Sequence, residues 1–316
     1  MRVNFVDTAE ILGEAAQRNN ISGVVFLEDG QRAAICEDES ATIIVLDTVR
    51  KHTWKVANTI SLLVHDSDDP EADLESLAAD EKWLYAVGSY SSRRKSVRPG
   101  KTRRENRARL EDFGPRPSRR MLARVGLDGL LAPAPKVRYD KGRLWQEIKR
   151  SAVLGPFRHL PGKENGIDIE GLVVDGDDLL VGFRGPVLRG NYAVVMRTRF
   201  GTRESKLLYL NLGGRGIRDL CRVGPGRFLI LAGPNGDQPL SYELYDGNGR
   251  DGIPGSDGGH AGAPEHIGEI PAPQDRPAAK PEGIDVLAVS QNRATVVVVY
   301  DSAPAGQPAL FEVALP

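Results

Sequence analysis

The chain has 316 residues, 40% of them hydrophobic and only 6% aromatic, with a formal net charge of −1. That length can bury one large core or two small ones, and the near-neutral balance excludes a whole-chain attraction to nucleic acid or membrane. Thirty-five Gly and 21 Pro point to many turns, and so to short strands rather than long helices.

Along the chain, MRVNFVDTAE at the start lacks an apolar signal core, and no stretch approaches the ~20 apolar residues of a membrane helix. A cytoplasmic protein with no membrane partner is expected. The segment 7–17 opens with a capping box, Asp7 and Glu10, but it is short, and an outer strand there is equally open.

Five later segments share one grammar: ISGVVFLEDGQRAAICEDES (21–40), LESLAADEKWLYAVGSYSS (74–92), IEGLVVDGDDLLVGFRGP (169–186), IRDLCRVGPGRFLILAGPNG (217–236) and PEGIDVLAVSQNRATVVVVYDS (281–302). A polar or acidic pair precedes a short apolar run. A turn of Asp, Gly, Asn or Lys follows, and then a second, more apolar run. This is a β-hairpin signature repeated along the chain.

Further strand-like runs follow the hairpins: ATIIVLDT (41–48), MLARVGLDG (121–129), YAVVMRTRF (192–200), KLLYLNL (206–212), SYELYDG (241–247) and ALFEVAL (309–315). A hairpin with one or two outer strands makes a four-stranded blade. The expected fold is therefore all-β: a single β-propeller domain over 1–316 with five blades. A sixth could hide in 1–20 or 121–166, and a β-sandwich or two small β domains would be the alternative. Cys36 and Cys221 lie in apolar runs and read as buried free thiols.

Residues 93–120 interrupt the second blade with twelve Lys or Arg against three Asp or Glu. So few large apolar residues cannot build a core, so a solvated, disordered loop is expected. Nucleic acid is the other candidate partner for this insertion, although Phe113 alone offers a stacking ring. RLWQEIKRSA (143–152) places Leu144, Ile148 and Ala152 at helical spacing. Residues 249–280, rich in Gly and Pro, read as a loop.

Acids recur at the start of the hairpins. Antiparallel hairpin strands bring the start of the first strand and the end of the second to one end of a blade. In a propeller the innermost strands line the central channel. The pairs Ser22–Gly23, Glu75–Ser76, Glu170–Gly171, Arg218–Asp219 and Glu282–Gly283 should then meet at one mouth, with Asp38, Glu39, Ser89, Arg184, Asn235 and Asp301 on the same face.

Clustered carboxylates repel unless protons or cations offset them. A divalent cation, Ca²⁺ first and Mg²⁺ or Mn²⁺ after it, suits oxygen ligands. It would be held by Glu75, Glu170, Asp219 and Glu282. Arg184, Arg215 and Arg218 would clamp a small anionic molecule. Two other readings stay open: the acids are blade-to-blade struts, or the mouth is a metal-free pocket for an anionic ligand or a protein.

No GxSxG, HExxH or GxxxxGK[ST] motif occurs, and GGRG (213–216) lacks dinucleotide-binding context. Of the histidines, His159 alone lies near the third hairpin's start. His52, His65, His260 and His266 fall in loop-like segments. No catalytic residue is assigned.

DLESLA (73–78), VGSYSSRR (87–94), IEGL (169–172), GFRGPV (182–187), GGRGIRDL (213–220), LAGP (231–234) and PEGI (281–284) together resemble a bacterial family, domain of unknown function 3616, over about residues 20–302. The resemblance implies a propeller and no established activity. More distantly, the acid-first pattern is similar to calcium-dependent lactonase-type and phytase-like propellers. That likeness implies Ca²⁺ on the channel axis, a site location more than a reaction, because the general-base residues of those propellers have no counterparts that map here one by one. The expected activity is divalent-metal-dependent hydrolysis of an ester, lactone or phosphoester. A non-catalytic propeller binding a protein or small anion is the alternative.

Overall fold

The computed structural model describes residues 2–13, 19–27, 30–62, 72–257 and 262–316. The repeated hairpins become five sheets, each running outward from an inner strand. Two strands, β1 (Val3–Thr8) and β2 (Glu10–Leu12), precede the first hairpin. Blade 1 is β3 (Ile21–Leu27), β4 (Arg32–Glu37), β5 (Thr42–Arg50) and β6 (Thr53–Ser61), with β2 added parallel to β6.

Blade 2 begins with β7 (Leu74–Ala79) and β8 (Trp83–Gly88). The chain then leaves through β9 (Ser92–Arg94), α1 (Arg103–Glu111) and β10 (Phe113–Pro115). It returns as β11 (Leu122–Gly126) and β12 (Val137–Tyr139), before α2 (Arg143–Arg150). Blade 3 is β13 (Asp168–Asp175), β14 (Asp178–Gly185), β15 (Tyr192–Thr198) and β16 (Ser205–Asn211). Blade 4 is β17 (Gly216–Gly224), β18 (Arg227–Gly233), β19 (Glu243–Gly247) and β20 (Glu265–Glu269). Blade 5 is β21 (Lys280–Ser290), β22 (Arg293–Asp301) and β23 (Ala309–Ala314), completed by β1 from the other end of the chain.

Each inner strand packs against the inner strands on either side, β3 with β7 and so on round to β21 with β3. Closure therefore rests on β1 pairing with β23, Val3 opposite Val313. This accounts for the first residues. They read as a capping box because Asp7 and Glu10 have the right spacing, but pairing to β23 and β6 satisfies the backbone better than a helix too short to stand alone. The protein is a five-bladed propeller; the described residues of 1–20, and residues 121–166, supply edge strands, a helix and connections rather than a sixth blade.

The hairpins form where two apolar runs meet a tight turn. In blade 3 Asp175 pairs with Asp178 across a two-residue loop whose Gly176 has φ 62°, a conformation that glycine adopts without steric cost. The second strand of each hairpin is buried nearly throughout, because sheets cover it on both faces.

The core is divided between the blades. One apolar cluster fills each interface: blades 1 and 2, 2 and 3, 3 and 4, 4 and 5, and 5 and 1. Cys36 and Cys221 are free and buried in two of these clusters. Leu144 and Ile148 of α2 join the blade 2–3 cluster, beside Leu172 and Phe183. Truncating either of the latter to Ala should cost about 2–5 kcal/mol.

Two sequence expectations differ from the fold. The basic segment 93–120 is structured: β9 and β10 pair, Arg94 opposite Phe113, and Thr102 and Glu105 close a reciprocal capping box on α1. No residue of α1 is buried, so caps and ion pairs such as Lys101–Glu105 at 3.1 Å hold the helix where a core cannot. The segment 249–280 is not all loop: β20 lies within it and pairs with β19. Among the described residues no helix is long and apolar enough to cross a membrane.

Candidate functional site at the channel mouth

The same irregularity occurs in all five inner strands. Pairing with the second strand skips one residue between Ile21 and Gly23, Leu74 and Ser76, Ile169 and Gly171, Ile217 and Asp219, and Pro281 and Gly283. The skipped residues are Ser22, Glu75, Glu170, Arg218 and Glu282. A β-bulge bends its strand and re-aims one side chain. Repeated around the ring, it turns these five residues toward one mouth.

The residue after each bulge must be small or bonded. A Cβ on Gly23 would come within 3.0 Å of the Ser76 Cα, and one on Gly283 within 3.0 Å of the Gly23 Cα. Crowding of neighbouring inner strands is the reason.

Asp219 departs from the metal-ligand role expected of it. Its Oδ1 accepts from the Ser76 hydroxyl at 2.8 Å and from the Leu220 N–H at 2.8 Å, and its Oδ2 from the Ile284 N–H at 2.8 Å. Ser76 in turn accepts from the Leu172 N–H at 3.1 Å. Asp219 is therefore a strut beneath the mouth, tying blade 4 to blades 2 and 5. Burial pushes its carboxyl well up, against three donors that favour the charged form.

Above this layer, Arg184 pairs with both Asp168 and Glu170, and Arg218 pairs with Glu170 at 2.7 Å and with Glu282. Glu170, Arg218 and Asp168 are buried. Burial raises the Glu170 carboxyl to about 8 although both arginines pull it down. It also raises Asp168 and Glu282. Burial would lower Arg184 and Arg218, but the facing acids outweigh it and hold both up.

Glu75 has no ion pair or hydrogen bond to its carboxylate among the described residues. Burial first, then the charges of Glu170, Asp73 and Glu282, push its carboxyl well above the ordinary range. Carboxylate oxygens of Glu75, Asp168 and Glu170 lie within 4.8 Å of one another.

The remaining expected residues divide. Asp38 sits half-buried at the rim with an unbonded, buried Oδ1. Its carboxyl is raised to about 8 by burial and then by Glu282, Asp73 and Asp301. Glu39, beside it, is exposed. Ser89 donates to Asp73, Asp301 pairs with Lys280 at 3.2 Å, and the Asn235 amide donates to Asn165 at 2.5 Å.

Arg215 is not with the other two arginines. It lies further out on blade 4, donating to the Ser241 carbonyl at 2.9 Å and reaching Glu243 at 3.3 Å. His52 pairs with Asp7 and His266 with Glu243. His65 and His260 lie outside the described residues.

Three groups at the mouth went unassigned from sequence: Asp168, Asp73 and Arg119. The sequence carried a signal for the acids, since Asp73-Leu74-Glu75 and Asp168-Ile169-Glu170 place two carboxylates at alternate positions on equivalent strand starts. Arg119 carried none. It comes from the basic insertion and pairs with Asp73 at 2.7 Å while bonding Ser91 at 3.0 Å. Among the named groups, acids outnumber cations.

Fold and site together define a five-bladed propeller whose inner-strand bulges gather a carboxylate-rich, arginine-braced mouth. The chain belongs to the family described as "Protein of unknown function (DUF3616)", which matches residues 20–309. No curated protein matches the sequence. Solved structures similar to it include the Cps50 (Swd1) β-propeller domain of Myceliophteria thermophila, 10% identical over 98% of this chain and 99% of that one, TM-score 0.43. An endo-arabinase from Bacteroides thetaiotaomicron is 11% identical over 96% of each chain, TM-score 0.45. A luciferin-regenerating enzyme is 9% identical over 95% of this chain and 78% of its own, TM-score 0.42. Likeness at this level concerns the fold alone.

Proposed function

We propose that the mouth is a divalent-cation-dependent hydrolytic site acting on an anionic ester, lactone or phosphoester. The observation that carries this reading is the triangle of Glu75, Asp168 and Glu170, with carboxylate oxygens within 4.8 Å and too few cations to offset them. The donor set fits a hard cation: all ligands are oxygens, and Asp168 Oδ1 is buried with no hydrogen-bond partner. Ca²⁺ is the best match, since it tolerates irregular, carboxylate-rich sites. Glu282, on the far side of Arg218, completes the acidic wall. When bound, such a cation polarises a carbonyl or phosphoryl oxygen and activates water.

The chain's own residues supply the rest. Arg184 and Arg218 present planar donor forks that suit a carboxylate or phosphate. Asp38, raised to about 8, can hold or release a proton near neutral pH at the rim.

A second reading, a non-catalytic propeller binding a small anion or a protein on this face, draws on one observation. Arg184 and Arg218 already pair with Asp168, Glu170 and Glu282 within the chain.

The test is elemental analysis of the purified protein, with melts in EDTA and after Ca²⁺, Mg²⁺ or Mn²⁺ addition, followed by an ester, lactone and phosphoester panel. A stoichiometric metal, a melting temperature that falls in EDTA and recovers, and turnover lost in Glu75→Gln and Asp168→Asn are expected. No metal, no shift and no turnover would overturn the reading and leave a ligand-binding mouth.

A further inference from the structure

The ordered basic insertion builds a second concavity beside the mouth. It has a volume of about 400 Å³, within the ~300–1,000 Å³ of small-ligand pockets. Its wall includes Ser92, Arg120, Trp145, Lys149, Arg158 and His159, and none of the residues lining it is acidic. We infer that this cavity binds a small phosphate-bearing molecule, a phosphomonoester whose dianion sits among Arg120, Lys149, Arg158 and His159.

The backbone explains how the insertion serves two sites. Consecutive residues divide between them: Ser91 and Arg119 bond Asp73 at the mouth, while Ser92 and Arg120 line the cavity. Ser92 bridges to Pro161, so the connection from α2 to blade 3 forms the opposite wall and carries Arg158 and His159.

The cations here, Arg120, Lys149 and Arg158, are unlike those at the mouth. Among the described residues neither they nor the His159 ring has an ion pair with an acid, whereas Arg184 and Arg218 each hold two. Arg120 lies over the Trp145 ring, 3.9 Å from its centroid, and its Nε is buried without a hydrogen-bond partner. Burial disfavours its charge, and no carboxylate compensates. A half-buried, unpaired guanidinium costs free energy in the empty protein, and an anion would return it. Several cations around one small cavity match a dianion better than a single carboxylate. Arg120 and Arg158 offer planar forks, and Lys149 a point charge. Trp145, backed by Tyr90 at 6.3 Å between centroids, supplies an apolar wall for the organic part of the ligand.

This inference stands apart from the hydrolytic reading, because it uses none of the mouth's residues. Calorimetric titration of the full chain with inorganic phosphate, ribose 5-phosphate and adenosine monophosphate tests it. Binding of at least one organic phosphate with Kd below about 1 mM is expected, weakened roughly tenfold or more in Arg120→Gln and in Arg158→Gln. Arg158 is on a short connection and only half-buried, so its variant should keep the wild-type melting temperature. Tighter binding of adenosine monophosphate than of ribose 5-phosphate would identify a nucleotide ligand, and equal binding a sugar phosphate. If no probe binds, or if binding survives both substitutions unchanged, the inference is overturned.

Discussion

Asp219 accepts a hydrogen bond from Ser76 at 2.8 Å although blade 3 stands between their blades in the ring. The bond runs inside the propeller, below the mouth. With the Ile284 N–H also on Asp219 and the Leu172 N–H on Ser76, two side chains join four blades. Asp219→Ala leaves three buried donors without an acceptor, and should cost about 2–5 kcal/mol in urea unfolding. Ser76→Ala should cost less, about 1–2 kcal/mol. The double variant should be less destabilised than the two single effects added together, with a coupling above about 0.5 kcal/mol. Simple additivity would show that the two do not act as one unit.

Arg218 is the second joint. It bridges Glu170 of blade 3 to Glu282 of blade 5. Arg218→Leu leaves the buried Glu170 and the partly buried Glu282 facing each other, and a loss of about 3–5 kcal/mol is expected. Adding Glu282→Gln to that variant should recover part of the loss. Arg218→Lys should fall between wild type and Leu, because an ammonium cannot span two carboxylates as a planar fork does. Denaturant midpoints of the four proteins check this order.

Glu75 sets a pH dependence. Its carboxyl is pushed up by burial, and then by Glu170, Asp73 and Glu282, so the folded state keeps a proton that the unfolded chain releases. Stability from that proton is complete below the ordinary carboxylate range and is lost as pH rises through the raised value. Asp38 and Glu170, each raised to about 8, act in the same direction. In EDTA the wild-type melting temperature should therefore fall between about pH 5 and about pH 9. Glu75→Gln should fall less, and be more stable than wild type at the alkaline end. Parallel curves for the two proteins would show that Glu75 titrates in the ordinary range.

The α1 helix has no buried residue, and its stability is local. Thr102→Ala removes the capping hydroxyl that accepts from the Glu105 N–H at 3.2 Å, at a cost of about 1 kcal/mol to the helix. Trypsin should then cut faster among the arginines of 93–120, with the global melting temperature unchanged. A drop in that temperature would mean that α1 supports blade 2 itself.

Composition and repetition alone determined the fold class. Apolar runs in pairs, separated by turn residues, can satisfy their backbones only as hairpins, and five such hairpins in a row can bury both faces only by packing on one another. The convergence of Glu75, Glu170, Arg218 and Glu282 was legible for the same reason, since equivalent positions in a repeat meet around one axis. Partners were not legible. Asp219 and Glu282 have the same kind of sequence context, yet one is a strut with three donors and the other faces Arg218. A bulge decides which residue turns to the mouth, and bulges depend on pairing between strands. Arg215 and Arg218 are three residues apart but separate toward different blade layers. The basic insertion was most misleading: its charge read as disorder, whereas capping, strand pairing and the stacking of Arg120 on Trp145 order it. The cap is local, but the strand pairing and the stacking join residues distant in the chain, and only the folded backbone brings them within reach.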